Sequence, residues 1–156
     1  MFTLKPDSEK NGSPKNTISH LRLLAAVGLL VVAVFTQAMA ATLEGQVVSV
    51  ADGDTLTVLD HTGARYIIRL SGIDAPEKAQ PWGDASKHHL ISFVAGRQVR
   101  VEWHKRDRYG RVVGTVYCDG QDVSLEQLKA GLAWHYRRYA SEQPASERSR
   151  YAETEA

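Results

Sequence analysis

The sequence predicts a mainly β domain with α elements, closed as a small five-stranded Greek-key barrel of the OB type with two to three helices. Three observations carry this. Two segments alternate polar and apolar residues with a period of two, five β-type runs are separated by short turns, and two helical patterns interrupt them in the order β-β-β-α-β-β-α. The 156 residues, 43% of them apolar, suit one such domain and fall short of two.

The first strand is read in GQVVSV (Gly45 to Val50). The second is TLTVLD (Thr55 to Asp60), where Leu56 and Val58 share one face and Thr55 and Thr57 the other. HTG (His61 to Gly63) turns the chain into the third strand, RYIIRLSG (Arg65 to Gly72). A helix over GDASKHHLISFVAG follows, with Asp84 as N-cap, Gly96 as stop and Leu90, Phe93 and Val94 as its apolar stripe. Within it His88 and His89 point about 100° apart and do not share a metal ion. VRVEWH (Val99 to His104) and RVVGTVYC (Arg111 to Cys118) complete the five strands. Cys118 is the one cysteine, so no internal disulfide forms, and its apolar setting makes it a buried strand residue.

The second helix, SLEQLKAG, offers Ser124 and Gln127 as a capping box and Leu125, Leu128 and Leu132 as one face. Trp134, Tyr136 and Tyr139 follow it and are assigned to core or rim packing. The domain is bounded at residues 41–140, and residues 141–156 read as the start of an incomplete helix.

Residues 1–40 read differently. A polar stretch to His20 precedes Arg22, the apolar run Leu23 to Phe35, and the small residues Ala38 and Ala40. That order is the pattern of a secretory signal cleaved after Ala40. Thirteen apolar residues rise about 20 Å as a helix, less than the roughly 30 Å hydrocarbon core, which disfavours a permanent span. The expectation is an exported protein, periplasmic or secreted, that meets the membrane only through this segment if it stays uncleaved.

Without those residues 15 basic and 16 acidic side chains remain, a net charge of −1. Global charge therefore points to no polyanionic partner. Its distribution does, because six basic residues, Lys105 and Arg108 among them, fall between Arg97 and Arg111 beside only Glu102 and Asp107. A local basic face for substrate is the expectation.

Chemistry concentrates at two strand ends. DGDT (Asp52 to Thr55) and GIDAPE (Gly72 to Glu77) each deliver a carboxylate, Asp54 and Asp74, at neighbouring connections. Two carboxylates with backbone carbonyls suit a hard cation with oxygen ligands, Ca²⁺ rather than Zn²⁺. The strand YIIRL meanwhile carries the guanidinium of Arg69 among apolar neighbours.

DGDT, RLSGIDAPE, RYGR (Arg108 to Arg111) and GLAWHYRRY (Gly131 to Tyr139), in this order and spacing, resemble the staphylococcal nuclease (thermonuclease) family from about Gly45 to Tyr139. The resemblance implies an OB barrel and Ca²⁺-dependent phosphodiester hydrolysis of DNA and RNA. It assigns Asp54, Asp74 and the Ala75 carbonyl to the metal, Arg69 and Arg111 to the scissile phosphate, Glu77 to the general base and Tyr109 to a terminal phosphate. At Arg137 it finds arginine where the staphylococcal pattern has a base-stacking tyrosine. The family's Gly-Leu-Trp segment after the last helix has no counterpart here, which predicts a final helix without its docking residue. The partner implied is nucleic acid, bound by a monomer that needs no stable protein partner. The alternative reading is a non-catalytic nucleic-acid-binding OB module.

Overall fold

The computed structural model describes residues 40–155, and the signal expected at the N-terminus lies outside the described residues. The elements are β1 (Ala41–Asp52), β2 (Thr55–Asp60), β3 (Arg65–Leu70), β4 (Ile73–Asp74), α1 (Gly83–Val94), β5 (Gln98–Arg106), β6 (Val112–Cys118), β7 (Gln121–Asp122), α2 (Val123–Lys129), β8 (Trp134–His135), a 3₁₀ segment (Arg137–Glu142) and α3 (Ala145–Glu155).

β1 pairs antiparallel with β2 on one edge and β5 on the other, and β2 pairs in turn with β3. β6 lies antiparallel to β5 and meets β3 in parallel register, Ile68 opposite Val112 and Arg69 opposite Val113. That pairing closes a five-stranded barrel of β1, β2, β3, β5 and β6, as predicted. The sequence offers no periodicity for the three two-residue strands β4, β7 and β8, since pairs this short follow from tertiary placement. Inside, Val47, Leu56, Val58, Ile68, Leu70, Val101, Val112 and Val116 are buried. β1 can cross β2 closely because Gly45 has no side chain: a Cβ there would stand 2.3 Å from the Leu59 carbonyl oxygen.

Both helix starts differ from expectation. α1 begins after Trp82, which takes a left-handed backbone (φ 69°) and gives no side-chain cap. Asp84 lies inside the first turn, where its charge favours the helix N-terminus. In α2 the cap is Asp122, whose carboxylate accepts from the Leu125 N–H at 3.2 Å. Ser124 and Gln127 are fully buried instead, the serine donating to the Ser71 carbonyl and the Gln127 amide to the Gly53 carbonyl. The S-x-x-Q spacing fits a capping box, but tertiary partners claim both side chains.

α3 also departs from the reading. It is docked by Tyr151, which is fully buried and whose hydroxyl donates to the Asp122 carboxylate at 2.9 Å. Thr115 donates to the buried Glu147 of the same helix at 2.9 Å. Residues 141–155 thus belong with the barrel in one compact unit.

Burial, with Asp122 and Glu147 nearby, pushes the Tyr151 phenol well up. The folded state therefore keeps this proton above pH ~10, where the unfolded chain releases it, and stability falls as pH rises through that range. Tyr151→Phe should cost about 1–3 kcal/mol at neutral pH, by leaving Asp122 short of a donor, and should lose less stability than the parent in alkali. Tyr151→Ala should cost about 3–5 kcal/mol. Urea unfolding at pH 7 and above pH 10 checks this, and an equal alkaline loss in the phenylalanine variant would refute it.

Candidate active site

The turn between β1 and β2 is built to aim Asp54 inward. Asp52 accepts the Asp54 N–H at 3.1 Å, and the Gly53 carbonyl accepts from Gln127 at 2.7 Å. Gly53 packs so tightly on α1 that a Cβ would lie 1.9 Å from the Ser86 hydroxyl. Asp54 is consequently buried, and accepts from the Thr55 hydroxyl at 3.0 Å and the Ala75 N–H at 2.9 Å. Burial pushes its carboxyl up to about 6, against the lowering pull of Arg69 and the Ala75 N–H.

Arg69 ties this turn to the next. Its guanidinium meets Asp54 at 3.0 Å and Asp74 at 2.9 Å, and Nη1 also donates to the carbonyls of Leu70 and Ile73. The short ladder of β4 with β8 fixes Asp74 opposite Trp134, whose indole is exposed. Ala75 joins the group through its N–H.

Arg111 comes from the loop before β6. Asp107 accepts its Nε–H at 2.8 Å and also the backbone N–H groups of Tyr109 and Arg111, closing a tight turn. Burial raises the Asp107 carboxyl, but these hydrogen bonds outweigh it and hold the group below its ordinary value. Arg111 Nη1 reaches the Thr55 hydroxyl at 3.4 Å, and that hydroxyl donates to Asp54. A continuous path of hydrogen bonds therefore joins Arg111, Thr55, Asp54 and Arg69. From the sequence, Asp107 and Thr55 have no assigned place in the site, and Gln127 stands only as half of a capping box. Only the D-x-x-x-R spacing of Asp107 and Arg111 signals any of them.

Arg69, Asp74 and Arg111 line a groove of about 830 Å³ that runs past Tyr109, Tyr136 and Tyr139 to α3. Tyr109 is exposed and accepts from Arg108 at 2.6 Å. Lys105 pairs with Glu142, Arg106 donates to the Gly110 carbonyl and Arg150 lies 3.5 Å from Asp122. Four of the six cations between Arg97 and Arg111 meet a carboxylate, since Arg97 pairs with Asp119 and Arg100 with Glu102 as well, while Arg106 and Arg108 meet none among the described residues. Trp134 on β8 and Tyr139 on the 3₁₀ segment are exposed, not packed in core or rim, because both elements lie outside the five-stranded barrel. Glu77 stands apart: Gln80 pins its backbone through both N–H and carbonyl, while the side chain is exposed and unbonded among the described residues.

Among the described residues no cluster of three His, Cys, Asp or Glu side chains converges on one point. The cation candidates are the Asp54 and Asp74 carboxylates, both within 3.0 Å of one guanidinium. An all-oxygen pair, one member buried and favouring a positive neighbour, fits a hard divalent cation with water or backbone completing its shell.

The strand order and this polar cluster at the strand ends define an OB-type β-barrel with a carboxylate–guanidinium site. The family model described as "Staphylococcal nuclease homologue" matches residues 67–156, and the chain belongs to that family. Asp54 and Thr55 precede the matched segment, so their place in the site rests on the geometry above. An Escherichia coli protein named "Uncharacterized endonuclease" is 47% identical over 102 residues, 65% of this chain and 66% of its own length. A "Probable staphylococcal-like nuclease" of Oryza sativa subsp. japonica is 51% identical over 75 residues, 48% of this chain and 23% of its own. The chain thus spans just under two thirds of the first relative and about a quarter of the second.

The raised Asp54 carboxyl has a consequence for stability. Between the ordinary aspartate range near pH 4 and about 6 the folded state binds a proton that the unfolded state has lost, so stability falls as pH rises through this window. With chelator present, the stability difference between the parent and Asp54→Asn should swing toward the variant by about 3 kcal/mol from pH 3.5 to 7, at 1.36 kcal/mol per pKa unit. Parallel urea titrations test it, and a pH-independent difference would contradict it.

Proposed function

We propose that this chain is a calcium-dependent phosphodiesterase that hydrolyses DNA and RNA, with Asp54, Asp74 and the Ala75 carbonyl as its calcium ligands. One observation carries the reading: Arg69 and Arg111 line one groove, beside two carboxylates, with N–H groups to spare. Arg69 Nε–H and the Arg111 Nη2 group make no hydrogen bond among the described residues, although each guanidinium is fixed by its other donors. Fixed guanidinium groups with free N–H edges suit the charge that builds on non-bridging phosphate oxygens during attack. The relatives named endonuclease and nuclease agree with this chemistry.

Glu77 takes the proton from the attacking water, whose oxygen bonds to phosphorus as the ester P–O bond breaks and its oxygen leaves with the electron pair. Its backbone is pinned and its carboxylate free, the arrangement a base needs before substrate arrives. Asp54 and Asp74 would hold the calcium ion, which would supply charge neutralisation at the phosphate and lower the pKa of water. Tyr109, Arg108 and Lys105, along the same groove, contact the substrate beyond the scissile bond.

Plasmid and RNA digestion with Ca²⁺, and with chelator in excess, tests the reading. Cleavage should require millimolar-range Ca²⁺, because few charged ligands give a weak site. Glu77→Gln should lower turnover roughly 100-fold or more with KM little changed. Undiminished cleavage in chelator would refute the metal assignment, and nucleic-acid binding without cleavage would favour the non-catalytic module. Export is part of the proposal and is supported by the Leu23 to Phe35 run with Ala38 and Ala40. N-terminal sequencing of secreted protein should begin at Ala41, whereas recovery of the full chain from membranes would indicate an anchor.

A further inference from the structure

Seven lysine and arginine side chains line the groove. Six hold the intramolecular partners described above, and Arg138 is the exception. It is exposed and makes no hydrogen bond or ion pair among the described residues, with its guanidinium carbon 5.9 Å from the centre of the Tyr139 ring. Its neighbour Arg137 behaves oppositely, donating to Glu155 at 2.8 Å and so fastening the 3₁₀ segment to α3. The paired arginines of the HYRRY stretch are therefore divided, one as a structural tie and one as an open cation.

The surroundings give that cation a direction. Lys105 stands 5.3 Å from the same Tyr139 ring, but Glu142 neutralises it, so the charge at this end of the groove that awaits a partner is that of Arg138. An aromatic face beside a guanidinium holds it in place without using its N–H donors. Arg69 and Arg111 line the same groove, and a nucleic-acid strand lying along it carries one phosphate per nucleotide. We propose that Arg138 binds a non-scissile phosphate of the strand whose scissile phosphate is held by Arg69 and Arg111. The inference rests on the phosphodiesterase reading above. It makes Arg138 a residue that selects polynucleotides over substrates with a single phosphate, and it adds one ion contact to binding.

The experiment measures binding of a single-stranded oligothymidylate, about 12 nucleotides long and so within the span of one OB domain, to Glu77→Gln protein over a range of salt. Adding Arg138→Ala should reduce the slope of log K against log salt by about 0.7 and weaken binding about fivefold at about 0.1 M salt, the loss of one single-strand phosphate contact. Arg138→Lys should restore the slope. Arg137→Ala should lower the melting temperature and leave the slope as it was. In otherwise unaltered enzyme, Arg138→Ala should raise KM for the oligonucleotide but not for a dinucleotide with one phosphodiester. An unchanged slope in Arg138→Ala, or an equal KM increase for both substrates, would overturn the inference while leaving the phosphodiesterase reading intact. Failure of the Glu77→Gln protein to bind the oligonucleotide at any salt would overturn both.

Discussion

The site depends on one guanidinium being held between two turns that are distant in sequence. Arg69 reaches Asp54 ahead of β2 and Asp74 in β4, while its Nη1 satisfies the carbonyls of Leu70 at the end of β3 and Ile73 at the start of β4. A buried carboxylate with no cation nearby would be protonated or displaced, and a half-buried guanidinium without carboxylates would be worse placed still. Each group makes the other tolerable, and neither can relax without the other. The position of Arg69 on a barrel strand turns this local pairing into a global one. It lies opposite Thr55 on β2 and opposite Val113 on β6, so the pairings that close the barrel also place Arg69 in the site.

A second chain of contacts reaches the site from the far end of the sequence. Tyr151 in α3 donates to Asp122, Asp122 caps α2, and Gln127 of α2 holds the carbonyl of Gly53 beside Asp54. Residues separated by almost a hundred positions are thereby tied through three buried polar groups. Such a network is worth having only when all members are satisfied, since a single loss leaves a buried donor or acceptor exposed to the full desolvation cost. Packing of α3 is thus connected to the angle at which Asp54 enters the site, by polar contacts as well as by apolar area.

The barrel was legible because period-two alternation and short turns are local signals, and β2 shows both from Thr55 to Asp60. Arg69, Asp54, Asp74, Ala75 and Arg111 stand in motifs visible along the chain, and the structure brings these five near one another. What stayed hidden depends on distant partners. Ser124 and Gln127 fit a capping box by spacing, yet the Ser71 and Gly53 carbonyls lie more than fifty residues upstream and outcompete the helix end. Tyr151 looks like one aromatic on a polar helix until Asp122 gives its hydroxyl a partner. The pairing of four cations between Arg97 and Arg111 stayed hidden for a related reason: charge counted along the chain ignores carboxylates such as Glu142 that fold back onto it.

That internal pairing shapes what the groove can do. Asp107 meets Arg111, Glu142 meets Lys105 and two aspartates meet Arg69, so these cations are oriented before any ligand arrives. A phosphate that takes the free N–H edges of these guanidinium groups still shares their charge with the carboxylates already bound, so it gains less than it would from an unpaired cation. Binding energy from such residues is accordingly small, while the geometry they impose on a reacting phosphate costs no further ordering of side chains. Arg138 inverts this balance. Its donors carry no intramolecular partner to give up, so each contact it makes is a net gain offset mainly by desolvation and rotamer entropy. A groove with paired arginines at one point and an unpaired one at another separates orientation from affinity, and the two adjacent arginines of the 3₁₀ segment show that this division is made one residue at a time.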